Sequence, residues 1–288
     1  MNLFAVDIGG SSIKYGLYGE DGLRHKGSFK TPETYQLMKE ELFRVLTEMK
    51  KETEISGAAF SAPGTVDSER GYIGGLSAVS YIHHFNIRED LENFLGVPVT
   101  IENDANCAAL AELYEGAAQD VNDVLFMVIG SGIGGAVIMD RKLYKGRNLF
   151  GGEFGYMLLA ENDSLSSLGS PVQMARRYSE ETGELVEGSE VFLRAEEGDP
   201  IAIKHVESLI DGLARGIFNL SCTFNPDRFV IGGRISRRED LIPRLLERTK
   251  WYLAGKGAEG LEVNLVPCAF RSDANLIGAA IHFRESRK

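Results

Sequence analysis

Ile101-Glu102-Asn103-Asp104-Ala105-Asn106 runs directly into the helical stretch Cys107-Ala108-Ala109-Leu110-Ala111-Glu112-Leu113. The run Val97-Pro98-Val99-Thr100-Ile101 before it reads as a β-strand, so Asp104 stands where a strand gives way to a helix. Two glycine-rich strand-turn-strand segments, Phe4–Tyr18 and Leu125–Met139, flank it in sequence. A carboxylate at a strand end, with two turns of bare backbone amides, is the minimum equipment for moving a phosphoryl group onto a hydroxyl. The transition state of that transfer is loose, so a carboxylate of ordinary acidity suffices to accept the hydroxyl proton late. Asn103, beside it, is placed to hydrogen-bond the same acceptor. Taken alone, Asp104 reads equally well as a helix N-cap.

The first turn is Gly9-Gly10-Ser11-Ser12, immediately after Asp7 at the end of an apolar strand. Consecutive amides in such a turn form an anion-binding concavity. Ser11 and Ser12 add hydroxyl donors and Lys14 adds a charge. Asp7 is suited to hold Mg²⁺ through water, since Mg²⁺ keeps several waters and takes one or two carboxylates. By itself the segment reads equally as a tight Gly-Gly hairpin with a solvated Asp. The second turn, Gly130-Ser131-Gly132-Ile133-Gly134-Gly135, has dinucleotide-fingerprint spacing. That motif requires a helix next, but the strand-like Ala136-Val137-Ile138-Met139 follows, so a second phosphate-cradling hairpin fits better. Gly151-Gly152-Glu153-Phe154-Gly155-Tyr156 is a third glycine turn, and its Glu153 is an acceptor-only group suited to sugar hydroxyls; without context it reads as a solvated loop acid. Gly232-Gly233-Arg234 either borders a nucleotide or turns a strand into the next helix. His83 and His84 have no other ligand-type residues near them in sequence and read as loop residues.

The elements that must position these groups follow from periodicity and punctuation. Strands are predicted at Leu3–Val6, Ile13–Tyr18, a third ending near Phe29, Ile55–Phe60, Val97–Ile101, Val124–Ile129, Ala136–Met139, Phe229–Ile231 and Leu261–Val266. Thr31-Pro32-Glu33 predicts a helix start whose apolar face is Leu42, Val45, Leu46 and Met49. Further helices are predicted at Ile87–Leu95, Ser170–Thr182, Glu190–Glu197, Pro200–Phe224, Arg238–Leu253 and Asn275–Phe283. Leu3–Tyr18 and Val124–Met139 share one pattern (apolar strand, paired glycines with a serine, apolar strand), which suggests an internal duplication.

A chain of 288 residues has room for about two domains. Hydrophobic content of 43% and charged content of 25% are those of a globular protein with a sizeable core. The net charge of −11 argues against a nucleic-acid partner, which needs a basic face, but leaves a nucleotide open. No apolar run approaches the roughly 20 residues of a membrane span, and no charged leader precedes the first strand. The reading is therefore cytoplasmic. Cys107, Cys222 and Cys268 are odd in number and far apart, as expected of reduced thiols.

Together these segments resemble the ROK family of sugar kinases and sugar-sensing repressors. Asp7–Lys14 resembles the family's first phosphate segment, Ser61–Asp67 its Pro-Gly sugar-side loop with Gly64, and Glu102–Ala109 its catalytic segment. Gly130–Gly135 resembles the second phosphate segment, Gly151–Tyr156 the sugar-binding segment and Ile231–Ser236 the adenosine-side segment. The match spans essentially the whole chain in the expected order.

The resemblance implies an α/β, two-domain actin-like (ribonuclease H-like) ATPase fold with a duplicated mixed-sheet core and a central cleft. The small domain would be 1–116, with the terminal helix 273–288 packing back on it, and the larger domain 117–272. It implies ATP and Mg²⁺, Asp104 as base for a sugar's primary 6-hydroxyl, and sugar contacts from Asn103, Glu153, Tyr156 and Gly64. Nucleotide contacts are expected from Asp7, Gly9, Gly10, Ser11, Ser12, Lys14, Gly130, Ser131, Gly132, Gly232 and Gly233, with Mg²⁺ near Asp7. A homodimer is implied. Tyr156 stands where many members have a histidine that binds sugar and zinc, and Leu159–Val172 lacks the cysteines of that site, so no structural zinc is expected. With six residues before Asp7, no DNA-binding helix-turn-helix is expected. A non-catalytic sugar sensor and a chaperone-type ATPase are the rival readings. The spacing does not choose among glucose, mannose, fructose, an N-acetylhexosamine and a β-glucoside.

Overall fold

The computed structural model describes residues 1–270 and 272–287. They form two compact units, one of residues 1–116, 146–150 and 272–287, the other of residues 117–145 and 151–270. No helix among the described residues is long and apolar enough to cross a membrane.

The first unit opens with an antiparallel meander, β1 (Leu3–Ile8), β2 (Ser12–Gly19) and β3 (Gly22–Lys30). The first helix, α1 (Tyr35–Lys50), starts later than Thr31-Pro32-Glu33 suggested. Its N-cap is Thr34, whose hydroxyl accepts from the Leu37 N–H, because the Thr31 hydroxyl is bonded elsewhere. Met38 joins the predicted apolar face of Leu42, Val45, Leu46 and Met49 in the core. Next come β4 (Gly57–Ala62), a small ribbon of β5 (Thr65–Asp67) and β6 (Tyr72–Gly74), α2 (Ile87–Leu95), β7 (Val99–Asn103) and α3 (Asp104–Glu115). The five-stranded sheet has the order β3-β2-β1-β4-β7, antiparallel through β1 and parallel from β1 to β7.

The second unit repeats this plan. Its strands are β8 (Val124–Ile129), β9 (Ile133–Met139), β10 (Lys142–Leu143), β11 (Arg228–Gly232) and β12 (Leu265–Pro267). Their order is β10-β9-β8-β11-β12, with the same alternation of antiparallel and parallel pairs. The suspected duplication is therefore a duplication of sheet topology. Its helices are α4 (Leu165–Gly169), α5 (Pro171–Thr182), α6 (Gly188–Glu196), α7 (Pro200–Phe224) and α8 (Leu241–Ala254). α4 and β10 are too short to carry a periodic signal. The strand expected at Leu261–Val266 shrinks to β12, which pairs with β11 only at Leu265, Val266 and Pro267. Each unit has its own apolar core.

The C-terminal helix, Ala274–Glu285, packs on α3. Gly278 makes this possible: a Cβ there would lie 1.6 Å from the Cys107 carbonyl oxygen. Phe283, fully buried on the same helix, fills the space over Gly57 of β4. Because α3 begins at Asp104, this backbone contact fixes the end of the helix that carries the candidate base. Gly278→Ala should lower stability by about 3 kcal/mol, the upper end for overpacking, as read from urea midpoints. An unchanged midpoint would remove the contact from this account.

Candidate active site

The hairpin tips of the two sheets are built alike. In the first, the Gly9 N–H closes the turn on the Ser12 carbonyl at 3.1 Å. In the second, the Gly130 N–H closes a turn one residue shorter on the Gly132 carbonyl at 2.9 Å. Gly9 is needed for close approach, since a Cβ would meet the Ser12 oxygen at 2.7 Å, whereas a Cβ on Gly130 would meet nothing within 4 Å. Neither glycine has a positive φ, so the second turn is glycine-lined where its surface is open. The Thr31 hydroxyl donates to the Gly9 carbonyl at 2.6 Å. The Ser170 hydroxyl, fully buried, lies 2.9 Å from both the Gly130 and Ser131 carbonyls. The amides of Gly10, Ser11, Ser131 and Gly132 donate to no described residue.

Behind the first tip, strand register sets Lys14, Asp7, Ser61 and Glu102 side by side on β2, β1, β4 and β7. Neighbours in register leave the same face of a sheet, so a polar row crosses the sheet near the carboxyl ends of its three parallel strands. Asp7 is 8% exposed, and its Oδ1 accepts from the Ser61 hydroxyl at 2.9 Å and from Asn275 Nδ2 at 3.0 Å. Both bonds land on Oδ1. Buried Glu102 accepts from the Asn103 N–H, Asn106 Nδ2 and the Ser68 hydroxyl. Burial, then the negative charges of Glu102, Asp7 and Asp104, push the Cys107 thiol up, so it is neutral beneath this cluster.

Asp104 is not the N-cap of α3. Asn103 caps it, accepting from the Asn106 N–H at 3.1 Å, and Asp104 is the first helical residue, half-buried, with Oδ1 2.8 Å from the Ala105 N–H. Asn103 Nδ2 also donates to the Gly64 carbonyl at 3.0 Å. Asn103 and Gly64 thus bind each other and hold the strand end to the loop after β4. Gly64, at φ +101°, leaves no room for a side chain, with the Gly74 oxygen and His83 ring each 2.9 Å from its would-be Cβ. His83 clasps the same loop. Its Nδ1 faces the Gly74 carbonyl at 3.2 Å and Nε2 faces the Ser77 hydroxyl at 2.7 Å, and burial pushes its pKa down.

In the second unit the corresponding register row is Gly134, Val128 and Gly232, with no charge. A cavity of about 1120 Å³ opens there, and Val128, Gly130, Ser131 and Gly233 form one side of it. Gly233, at φ +92°, has the Ile129 oxygen 2.0 Å from its would-be Cβ. The opposite wall comes from α5 and α6, including Pro171, Ala175 and Phe192. Arg234 and Arg237 stand at its border with no ion pair among the described residues, while Arg238 covers the Phe192 ring at 4.2 Å. Gly130, Ser131 and Gly233 were singled out in the sequence; the contribution of α5 and α6 was not, because amphipathic spacing identifies a helix but not the cavity it borders.

The turn Gly151–Tyr156 is nailed to β9. Would-be Cβ atoms on Gly152 and Gly155 fall 2.7 Å from the Gly135 oxygen and 2.1 Å from the Ile133 oxygen, and Phe154 inserts into the core. Glu153 and Tyr156 stand at the two ends of the resulting helical turn. The Glu153 carboxyl is half-buried, makes no hydrogen bond or ion pair with any described residue, and is pushed above the usual carboxylate range by burial. Tyr156 is 70% exposed.

Among the described residues no group of three or more His, Cys, Asp or Glu gathers as a metal site. One carboxylate with an oxygen outside its two recorded bonds, beside bare amides, fits Mg²⁺ held through its own waters.

The ROK family model matches residues 3–286. The chain belongs to the ROK family. Among its relatives is a β-glucoside kinase of Listeria innocua, 33% identical over 297 residues, covering 98% of this chain and 97% of the relative. A ROK family protein from Streptococcus pneumoniae, solved in complex with sucrose, is 33% identical with a TM-score of 0.91, covering 100% of this chain and 99% of that one. The ROK hexokinase of Thermus thermophilus is 28% identical with a TM-score of 0.89, and each chain covers 100% of the other. This ROK protein shares their actin-like ATPase fold, the α/β class expected from the sequence.

Glu153 gives this ROK protein a measurable cost. A carboxyl whose folded pKa is raised contributes stability only below its unfolded pKa, and that contribution is lost as pH rises through the folded value. Glu153→Gln should therefore raise the ligand-free Tm at pH 7–8, with the difference shrinking as pH falls into the carboxylate range. A lower Tm at neutral pH would contradict the burial argument.

Proposed function

We propose that this ROK protein transfers the γ-phosphoryl group of ATP to the 6-hydroxyl of a hexose or hexose derivative, with Asp104 as the base. It is an ATP-dependent sugar kinase in this reading. The observation that supports the residue assignment is the β7–α3 junction: Asn103 is the N-cap of α3, and Asp104 follows it as the half-buried first helical residue at the strand end. The β-glucoside kinase and ROK hexokinase relatives support the reaction class.

The roles divide by unit. In the second unit the cavity beside Gly233 takes the adenosine, and the amides of Ser131 and Gly132 take phosphate oxygens. In the first unit Gly10 and Ser11 offer amides, Lys14 offers a cation and Asp104 takes the proton of the attacking hydroxyl. Mg²⁺, held through water by Asp7, supplies charge neutralisation on the phosphates. Glu153 accepts from sugar hydroxyls, which explains a carboxylate kept without a protein donor. The acceptor we favour is a β-glucoside, since curated relatives from Listeria innocua and Klebsiella pneumoniae carry that name at 33% and 31% identity. Exposed Tyr156 presents an apolar ring with a polar tip to such a substituent.

A coupled ADP-release assay over hexoses and β-glucosides tests the reading; a sensor that binds sugar without transfer gives no sugar-dependent ADP. Asp104→Asn should lower kcat by about 10²–10⁴-fold, the usual contribution of general-base catalysis, with sugar binding by calorimetry little changed. Near-normal turnover in that variant rules out Asp104 as the base. Sugar KM should rise as pH falls, because only ionised Glu153 accepts without donating.

A further inference from the structure

We infer that Ser170 and Thr31 are positioning residues that set the direction and donor strength of the phosphate-facing amides, a refinement that rests on the kinase reading above.

A peptide group is planar and trans, so its C=O and N–H point in opposite directions. A carbonyl held on the protein side therefore turns the N–H of the same peptide outward. The carbonyl of Gly130 shares a peptide with the Ser131 N–H, and that of Ser131 with the Gly132 N–H. These are the two carbonyls that the Ser170 hydroxyl meets at 2.9 Å, and the two amides that donate to no described residue. In the first unit the Gly9 carbonyl shares a peptide with the Gly10 N–H. The Thr31 hydroxyl holds that carbonyl at 2.6 Å, and the Gly10 amide also donates to no described residue. Gly9 and Gly130 are equivalent positions, each following the last paired residue of its hairpin, Ile8 and Ile129. The duplicated hairpins thus carry one device built from unrelated elements, the end of β3 and the start of α5.

Ser170 adds polarisation to direction. Its oxygen accepts from the Val172 N–H at 3.2 Å and the Gln173 N–H at 3.4 Å, in the first turn of α5, while its proton is shared between the two carbonyls. The chain runs from helix amides through the hydroxyl to the turn's peptides, and linked hydrogen bonds strengthen one another. The outward N–H groups become better donors to an anion. Because α5 also walls the cavity, one buried hydroxyl couples the phosphate turn to the base-binding wall.

The test separates phosphate binding from base binding by calorimetry with ADP and with adenosine on the full chain. Ser170→Ala and Thr31→Val, the second nearly isosteric, should each weaken ADP by about tenfold, the size of one charge-assisted hydrogen bond, and adenosine by less than about twofold. Ser170→Thr and Thr31→Ser retain the hydroxyl and should recover most of the ADP affinity. Equal losses for ADP and adenosine would mean that Ser170 only caps α5 and shapes the cavity, overturning the inference. So would unchanged ADP affinity in both hydroxyl-deleted variants. A wild-type chain that binds neither ligand would instead overturn the nucleotide reading beneath it.

Discussion

Burying a carboxylate near the end of a parallel sheet is the constraint around which the first unit is arranged. An ionised carboxylate out of water must be met by donors. Asp7 recruits one from the neighbouring strand, Ser61, and one from the last helix, Asn275. Glu102, two strands over in the same register row, recruits the Ser68 hydroxyl, the Asn103 N–H and Asn106 Nδ2. Satisfying these two groups fixes the ends of β1, β4 and β7, and with them the start of α3. Gly278 then allows the C-terminal helix to reach α3 closely enough for Asn275 to be delivered.

The second sheet shows what the same topology does without charge. Where the first has Lys14, Asp7 and Ser61, the second has Gly134, Val128 and Gly232. The charged row suits cations and proton transfer, while the neutral, small-residue row leaves space for a flat apolar group. One duplicated scaffold thus presents two different surfaces through three register positions, both near strand carboxyl ends, where open α/β sheets place ligand sites.

Much of this is legible in the sequence alone. Glycine pairs between apolar runs announced both hairpins, and α7 was bounded at Pro200 and Phe224 because Asp199 caps it, a proline opens it and Asn225 closes it. The strand-to-helix step at Asp104 is also readable, though the sequence alone does not tell a capping Asp from a functional one. Thr31 misled: it looked like a cap, yet its hydroxyl serves Gly9, 22 residues away. The start of a helix at Ser170 is readable, but its bond to Gly130, 40 residues away, leaves no trace in periodicity. Asn275, Gly278 and the cavity-facing sides of α5 and α6 were missed for the same reason. Local propensity reports on neighbours along the chain, whereas these residues act on neighbours in space.

The Asp7–Asn275 bond spans 268 positions of sequence. During translation Asp7 emerges from the ribosome 268 residues before Asn275. The first sheet's charged end therefore stays incomplete until the second unit has been made, while most of that unit is one near-continuous stretch and is free to fold earlier. Loop closure over such a distance is slow relative to local pairing. The helix Ala274–Glu285 acts as a late fastener, so a chain that lacks it would lack the completed acid cluster.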